Sequence, residues 1–332
     1  MQQIAYQLDS DFASRDTGAA DLHAADSQHE KLTLRADDGR ELAAEISHTV
    51  SAPKVVLVIS GAMGVPMRFY KAFAQYLADA GITVLRFDYR GIGASQRTHS
   101  RAESASLADW GRLDARAAYQ AAFARWPQLP VVALTHSIGG QLLGLAGVGE
   151  RLSGVVFVAS QMGYWRYWRG AARLLMLATW RAVIPALSKI LGYLPMRALG
   201  QGEDLPRAVA RDWARWGTQK RSLLDDVTAH PSGFADLSAP VLALSFADDQ
   251  YAPHNAVKAL LAELHLAPTE HWHQNADSVR RRPVGHFGFF KPTTAPDLWA
   301  DLVRWLAELK PVADIKAEQA KADAAHRAWL YR

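Results

Sequence analysis

Short apolar runs recur along the chain, each rich in β-branched residues and bounded by turn residues. This pattern is typical of strands buried on both faces, since no polar position alternates with the apolar ones. The runs occupy residues 55–60, 83–88, 131–135, 154–159 and 241–245. Segments with helical spacing of apolar residues lie between them, at residues 69–80, 106–125 and 139–148. This alternation predicts an α/β fold with a mostly parallel central sheet flanked by helices.

Two further sheet elements are predicted outside this alternation. Apolar residues at 32–34 and 42–46 bracket an Asp-Asp-Gly turn at 37–39. An Asp-Gly turn between apolar runs favours an antiparallel hairpin, which we place at a sheet edge. Residues 269–273 are predicted to form the last strand.

The alternation stops after Ala159 and resumes at Pro240. Between residues 161 and 234 no strand is predicted, and five of the eleven tryptophans occur there. Nine Arg and two Lys face one Glu and four Asp in the same segment. This change in composition predicts a helical cap at 161–234, inserted into an α/β core of residues 30–160 and 235–311. Residues 1–29 are expected to be a flexible lead-in and residues 312–332 a C-terminal helix.

Composition narrows the classes of function. The chain has 332 residues, enough for one large domain with an insertion. It has no cysteine, which excludes disulfides, thiolate catalysis and cysteine-ligated metal centres. The formal net charge is only +4, so the charge balance does not favour nucleic-acid binding.

The sequence predicts neither secretion nor a membrane span. The polar, acidic N-terminal segment lacks the basic and apolar regions of a signal peptide. The longest apolar stretch, residues 171–195, is interrupted by Arg173, Arg181 and Lys189, and Pro185 is expected to break any helix there. A cytoplasmic location is therefore expected.

Residues 135–140 (THSIGG) lie between a predicted strand and a predicted helix. A serine in this position, with small residues two places away on each side, is typical of a nucleophile elbow, a strained turn that exposes the serine above the sheet. We therefore predict Ser137 to be a catalytic nucleophile. The backbone N–H of Ile138, at the helix N-terminus, is predicted to stabilise an oxyanion. Thr135 departs from the glycine usual at that place.

Two glycine-containing loops follow predicted strands. Residues 60–64 (SGAMG) lie where hydrolases with a nucleophile elbow place a second oxyanion donor. We predict that this donor is the N–H of Ala62, with the N–H of Met63 as the alternative. Residues 88–95 (DYRGIGAS) resemble a dinucleotide loop, but Gln96 stands where the last glycine of that pattern belongs. That loop is interpreted as structural.

The acid and the base are predicted from their positions after later strands. Residues 246–253 (FADDQYAP) contain two aspartates, and the offset from the strand favours Asp249 as the acid that orients a histidine. Asp248 is expected to cap the next helix or its loop. His286, in GHFGFF, follows the last predicted strand. The chain order Ser, Asp, His is that of α/β hydrolases.

Three other histidines are interpreted as structural, not catalytic or metal-binding. His271 and His273 alternate on a predicted strand and could imitate a metal pair. No carboxylate or third histidine has ligand spacing near them, so an exposed strand face is favoured and no metal site is predicted. His136, beside the nucleophile, is interpreted as packing in the elbow.

These motifs together resemble the predicted bacterial α/β hydrolases close to the serine aminopeptidase S33-like (hydrolase_4) family. The resemblance covers roughly residues 30–310. It implies a Ser–Asp–His hydrolase with a helical cap, and the motif positions fall on Ser137, Asp249 and His286. The segments that carry it are SGAMGVPMRFY, FDYRGIGAS, THSIGGQLLGL, GYWRYW, GEDLPRAVARDWARW, LALSFADDQYAP and GHFGFF.

The cap is expected to lie over the carboxyl edge of the sheet, where ligand sites form in α/β proteins. Met63, Trp165 and Trp168 are predicted to contact substrate. The five cap tryptophans either line an acyl pocket or form the cap's own core. The positive charge either attracts anionic substrates, such as a CoA thioester or a phospholipid headgroup, or is simply solvated. Contact of an apolar cap helix with a membrane surface is the less favoured alternative.

The sequence therefore predicts a serine hydrolase that cleaves a small carboxylic ester or thioester through an acyl-enzyme, without a metal or organic cofactor. Peptide hydrolysis or acyl transfer to another acceptor could use the same three residues. A non-catalytic binding module on a hydrolase fold is the alternative from another class. The oligomeric state stays open.

Overall fold

The structure, a computed structural model, describes residues 28–228, 233–275, 283–294 and 296–315. The strands in this part of the chain are β1 His29–Arg35, β2 Glu41–Ser47, β3 Val55–Ser60, β4 Ile82–Phe87, β5 Val131–His136, β6 Gly154–Val158, β7 Tyr193–Leu194, β8 Leu205–Pro206, β9 Val241–Phe246 and β10 Thr269–Gln274. The α-helices are α1 Lys71–Asp79, α2 Leu107–Asp109, α3 Arg116–Arg125, α4 Ile138–Ala146, α5 Gly170–Ala178, α6 Ile184–Leu191, α7 Arg207–Thr218, α8 Ser222–Thr228, α9 His254–Leu261 and α10 Pro296–Ala307.

Eight strands form one sheet in the order β1-β2-β4-β3-β5-β6-β9-β10. The hairpin of β1 and β2 lies at one edge and pairs antiparallel with β4. From β4 to β10 every neighbouring pair is parallel. The predicted mostly parallel sheet, with an antiparallel hairpin at its edge, is confirmed.

Helices cover both faces of the sheet. Alternate residues of β3 belong to different cores: Val56 and Val58 pack with residues of α3 and α4, whereas Val55, Leu57 and Ile59 pack with residues of α1 and α10. Because both faces are buried, β3 shows an unbroken apolar run instead of an alternating one. Burial of each such side chain contributes about 1.5–3 kcal/mol to the free energy of unfolding.

The chain between β6 and β9 forms α5 to α8 and a small antiparallel pair, β7 with β8. The prediction that residues 161–234 hold no strand is therefore wrong at this pair, because two-residue strands are too short to leave a periodic pattern. Glu203 joins this segment to the loops of the sheet. Its carboxylate accepts a hydrogen bond from Arg68 at 2.9 Å and from the N–H of Gly93 at 2.6 Å.

A continuous helix, Gly170–Leu191, runs through the position where Pro185 was expected to break it. A π-helical turn, Thr179–Val183, joins α5 to α6, and Pro185 is the second residue of α6. Because a π turn already displaces the regular hydrogen-bond ladder, the missing N–H of proline is tolerated there. The expectation of a break is wrong for this local reason.

The ends of the chain are described only in part. His29 already belongs to β1, so the sheet begins inside the expected lead-in of residues 1–29. Residues 1–27 lie outside the described residues. Of the expected C-terminal helix at 312–332, residues 312–315 are helical and the rest lies outside the described residues.

The turn from β5 to α4 holds Ser137 at φ 54° and ψ −116°, a conformation that non-glycine residues rarely adopt. Close packing under the turn imposes it. A Cβ on Gly139 would lie 2.3 Å from the carbonyl oxygen of Ser60, at the end of β3. On the other side, the N–H of Ser137 donates to the carbonyl of Val158 in β6 at 3.0 Å. The turn is thus fixed by both neighbouring strands.

Thr135 fits in this turn although it replaces the usual glycine. Its hydroxyl lies 3.1 Å from the hydroxyl of Ser160. Gly140 provides the room for Ser160, since a Cβ on Gly140 would lie 2.5 Å from the Cβ of Ser160. The departure at Thr135 is therefore compensated by a small residue on the helix side of the turn.

We predict that Gly139→Ala lowers the free energy of unfolding by about 1–3 kcal/mol or more, because the added methyl must displace the Ser60 carbonyl. Urea unfolding followed by tryptophan fluorescence measures the change. Gly149→Ala is the matched control, since a Cβ there meets nothing nearer than 3.5 Å. Equal stability of the two variants would contradict the packing argument.

Candidate active site

Ser137 projects from the strained turn into a cavity between the sheet and the segment above it. The residue is 8% exposed, and its hydroxyl makes no hydrogen bond within the described part of the chain. His286 lines the same cavity. A serine held in a strained turn without a structural hydrogen bond is available for chemistry with a neighbouring base.

Asp249 and His286 form a buried pair. His286 Nδ1 lies 2.8 Å from Asp249 Oδ2, and the Asp249 side chain is fully buried. The other carboxylate oxygen accepts the N–H groups of Tyr251 at 2.8 Å and Ala252 at 2.9 Å. A carboxylate held by two amides is an acceptor, so Nδ1–H of His286 donates to it. Nε2 of His286 is then the nitrogen that can take a proton.

Asp248, the neighbouring aspartate, has a different partner. Its carboxylate accepts the N–H of Gly285 at 2.9 Å. Asp248 therefore holds the residue just before His286 and does not cap α9, the helix that follows it. The structure brings Ser137, Asp249 and His286 together, and Asp248 supports the loop that carries the histidine.

A chain of hydrogen bonds passes through His136. The N–H of Ala62 donates to Tyr70 Oη at 2.9 Å, and Tyr70 Oη lies 3.0 Å from His136 Nδ1. His136 Nε2 lies 2.9 Å from the carbonyl oxygen of His286, to which it donates. Burial, and then the proximity of His286, hold the pKa of His136 well below its usual range, so its imidazole is neutral. His136 therefore ties the elbow to the segment of His286, beyond the packing role expected for it.

The hydrogen bond from Ala62 to Tyr70 changes which N–H groups are candidates for oxyanion donors. The N–H of Ala62, predicted as the second donor, is already engaged by Tyr70. The N–H groups of Met63 and Ile138 have no partner among the described residues, and both residues line the cavity with Ser137. Ile138 is the first residue of α4, where the helix dipole favours negative charge. Of the two N–H groups named from the sequence as the second candidate donor, the geometry therefore favours that of Met63 over that of Ala62.

The cavity at Ser137 has a volume of about 120 Å³. Met63 and Trp168, predicted to contact substrate, line it, and the Trp168 indole N–H donates to the carbonyl of Gln250 at 2.9 Å. Trp165 is not among its lining residues. The ring of Trp165 instead contacts Arg173, whose guanidinium lies 5.5 Å from the ring centre. Trp165 is half-buried and packs against the main apolar core, so its predicted contact with substrate is not supported at this cavity.

Three lining residues carry buried polar atoms without a partner in the described structure: Gln141 Oε1, Gln161 Oε1 and Trp180 Nε1. The amide nitrogen of Gln141 donates to the carbonyl of Gln161 at 2.6 Å, which fixes the Gln141 amide. That of Gln161 donates to the carbonyl of Tyr251 at 3.3 Å. Neither glutamine was predicted from the sequence to line the site. A signal existed at Gln141, the one polar side chain in an otherwise apolar α4.

The tryptophans of residues 161–234 include some that line the cavity and some that pack in the apolar core. Trp168, Trp180 and Trp213 line the cavity. Trp180 and Trp216 also belong to the main apolar core, and the rings of Trp180 and Trp213 meet edge-on at 4.6 Å. The same side chains therefore stabilise this segment and form part of the cavity wall.

The family model "Serine aminopeptidase, S33" (Hydrolase_4) matches residues 51–271. A search of curated proteins gave no significant match. Many solved structures are similar to that of this chain.

A soluble variant of monoglyceride lipase from Saccharomyces cerevisiae superposes with a TM-score of 0.61 at 13% identity, covering 82% of this chain and 94% of that one. A Paleococcus ferrophilus monoacylglycerol lipase gives 0.55 at 17% identity, covering 80% and 98%. A carboxyl esterase from Bacillus coagulans gives 0.54 at 12% identity, covering 84% and 97%. At these identities the likeness establishes the fold alone. Since the family model covers more than half of its length, the chain belongs to the serine aminopeptidase S33 family of hydrolases and has the α/β-hydrolase fold.

Proposed function

We propose that the protein is a serine hydrolase that cleaves a carboxylic ester or thioester through an acyl-enzyme. The observation that carries this proposal is the buried Asp249–His286 pair at 2.8 Å, whose histidine lines the same cavity as Ser137. Ser137 is held in a strained turn, and its hydroxyl makes no hydrogen bond among the described residues. A purely structural role does not explain why the buried pair, the strained turn and the available hydroxyl occur together. Nucleophilic catalysis uses all three.

In this mechanism His286 Nε2 takes the proton of Ser137 as the serine oxygen attacks the carbonyl carbon. The charge that develops on the carbonyl oxygen is stabilised by the N–H groups of Ile138 and Met63. The protonated His286 is stabilised by Asp249 and returns the proton to the leaving alcohol or thiol. A water molecule activated by His286 then releases the acid and restores the serine hydroxyl.

The cavity wall favours an apolar acyl chain. Met176, Trp180 and Trp213 present apolar surface beside Ser137. The free oxygens of Gln141 and Gln161 are hydrogen-bond acceptors, and they fit an alcohol part that carries further hydroxyl groups. Structural neighbours with the names monoglyceride lipase, monoacylglycerol lipase and carboxyl esterase are consistent with an ester of this kind.

Peptide hydrolysis is the second candidate, because the family takes its name from an aminopeptidase. An aminopeptidase must hold the charged amino terminus of its substrate, usually with a carboxylate. Among the described residues that line the cavity at Ser137 there is no Asp or Glu. The cavity therefore supports ester or thioester hydrolysis better. Acyl transfer to another acceptor uses the same acyl-enzyme, and product analysis distinguishes it.

We predict that Ser137→Ala lowers kcat/KM for p-nitrophenyl butyrate by about 10⁴-fold or more, as expected when a nucleophile is lost. The melting temperature should not fall, since the hydroxyl makes no hydrogen bond in the described structure. Ser51→Ala, at an exposed serine, is the matched control and should keep full activity. Retained hydrolysis by a folded Ser137→Ala would refute the assignment of the nucleophile. Inactive wild-type protein would favour the binding-module alternative.

For wild-type protein, we predict that kcat/KM rises from acetate to longer p-nitrophenyl esters by about fourfold per methylene until the cavity is filled. Burial of one methylene contributes about 0.8 kcal/mol, which corresponds to that factor. Steady-state kinetics over a chain-length series measures it. A rate that falls steadily from acetate onward would contradict an apolar acyl site.

We also propose that the helix Gly170–Leu191 contacts an anionic lipid surface while the protein works. In the described part of the chain it is the one helix long and apolar enough to cross a bilayer, and only 17% of its most apolar window is buried. Leu174 and Ile190 are 66% and 77% exposed. The helix also carries exposed Arg173, Arg181 and Lys189. Apolar residues beside cations suit a helix lying in an anionic interface.

The inner side of this helix explains why a surface orientation is favoured over a membrane span. Met176, Thr179 and Trp180 line the cavity at Ser137. A spanning helix would have to leave the cavity, whereas a helix at the interface keeps these contacts. It would also place the cavity next to its lipid-borne substrate.

We predict that wild-type protein floats with phosphatidylglycerol vesicles and that the double variant Leu174→Ser, Ile190→Ser stays in the soluble fraction. Hydrolysis of soluble p-nitrophenyl butyrate should be unchanged in that variant, because neither residue lines the cavity. Val50→Ser, at a residue 84% exposed elsewhere on the surface, is the control and should still float. Wild-type protein recovered entirely below the vesicles would contradict lipid contact.

A further inference from the structure

Three histidines meet between the edge strand β10 and the helix α9. His271 and His273 lie two residues apart on β10 and so share a face. His254 is the first residue of α9, which packs over that face. One ring nitrogen from each histidine lies within 4.8 Å of the others. The ring centres of His254 and His273 are 4.3 Å apart.

The prediction that no third histidine has ligand spacing near His271 and His273 is wrong. His254 lies far from both along the sequence, but the crossover from β9 through α9 to β10 brings it back over the strand. Spacing along the chain could not reveal this, because the contact depends on the parallel pairing of β9 with β10. The expected exposed strand face is instead a half-buried cluster.

A buried hydroxyl lies at the base of this cluster. Ser245 Oγ, on β9, is 2.7 Å from His271 Nε2 and 2.8 Å from His273 Nδ1. A hydroxyl has one proton, so it donates to one ring nitrogen and accepts from the N–H of the other. Ser245 thus draws two imidazoles onto one point and orients them. Metal-binding histidines usually donate the N–H of their other ring nitrogen to a fixed oxygen, and the two lone pairs of Ser245 Oγ can accept from both rings when an ion binds.

We propose that His254, His271 and His273 form a binding site for a divalent transition-metal ion of the zinc type. Imidazole nitrogen is a preferred ligand of such ions, and three histidines with one open position is a known zinc arrangement. Ligand nitrogens on a tetrahedral zinc ion are about 3.3 Å apart, from Zn–N distances of about 2.0–2.1 Å. The three nitrogens are already within 4.8 Å, and the exposed His254 can rotate inward. Water would complete the shell.

The site differs in place and chemistry from the cavity at Ser137, whose lining includes none of the three histidines. An ion there would clamp the edge strand β10 to α9. The loop between β9 and α9 carries Asp249, so this clamp would also restrain the residue behind His286. One nearby charge opposes the ion: Lys258, one helical turn after His254, is close enough to act on His271.

Isothermal titration of zinc into the full, untagged chain, first freed of metal with a chelator, tests the proposal. One equivalent should bind with a Kd in the micromolar range or tighter, and cobalt(II) should give the intense absorption of tetrahedral nitrogen coordination. His271→Ala and His254→Ala should each weaken binding by about 100-fold. Lys258→Ala should tighten it by about threefold to tenfold, because a competing positive charge is removed.

His265→Ala is the matched control, since that exposed histidine of the same region lies outside the cluster and should leave binding unchanged. Zinc at about 100 times its Kd should raise the melting temperature of the wild type by about 5 °C and leave that of His271→Ala unchanged. Melting curves in chelator establish that each variant is folded. Absence of a stoichiometric site in the wild type, or binding that survives both His254→Ala and His271→Ala, would overturn the proposal. Neither outcome depends on hydrolytic activity, so the test is separate from that of Ser137.

Discussion

The close approach of α4 to the end of β3 is the constraint on which the rest of the structure depends. Gly139 lies so near the Ser60 carbonyl that an added methyl group would overlap the carbonyl oxygen. With the helix held that close, the chain can leave β5 only through a strained residue, and Ser137 is that residue. Backbone strain of this kind costs on the order of 1–3 kcal/mol and is found where function maintains it. The sheet supplies the packing that offsets this cost.

A second constraint fixes His286 relative to Ser137. The loop of His286 is held at three separate points: by Asp249 at the ring, by Asp248 at the preceding amide, and by His136 at the carbonyl. His136 precedes Ser137 in the chain, so one rigid turn positions both groups. The neutral state of His136 is required for this, because only the neutral ring can accept from Tyr70 while donating to His286. Electrostatics and geometry therefore support the same arrangement.

Most of the fold could be predicted from the sequence, because parallel strands buried on both faces leave unbroken apolar runs. Ser137, Asp249 and His286 were chosen for their places after strands, and the structure brings these residues together; their catalytic roles stay a proposal. The features that escaped prediction depend on three-dimensional neighbours. The engagement of the Ala62 amide needs Tyr70, from the turn before α1, to reach back. The third histidine of the cluster needs the β9–α9–β10 crossover. Trp165 and Trp168 lie in the same short segment, GYWRYW, but of the two only Trp168 lines the cavity.

The central claim is that Ser137 is activated by His286 in the folded protein. Reaction with a fluorophosphonate, followed by intact mass and peptide mapping, tests it most directly, because an activated serine attacks the phosphorus, expels fluoride and keeps a stable phosphonate ester. The account predicts one adduct per chain, located on Ser137, and none after heat denaturation. No adduct on the folded wild type, or an adduct on another serine, would contradict it.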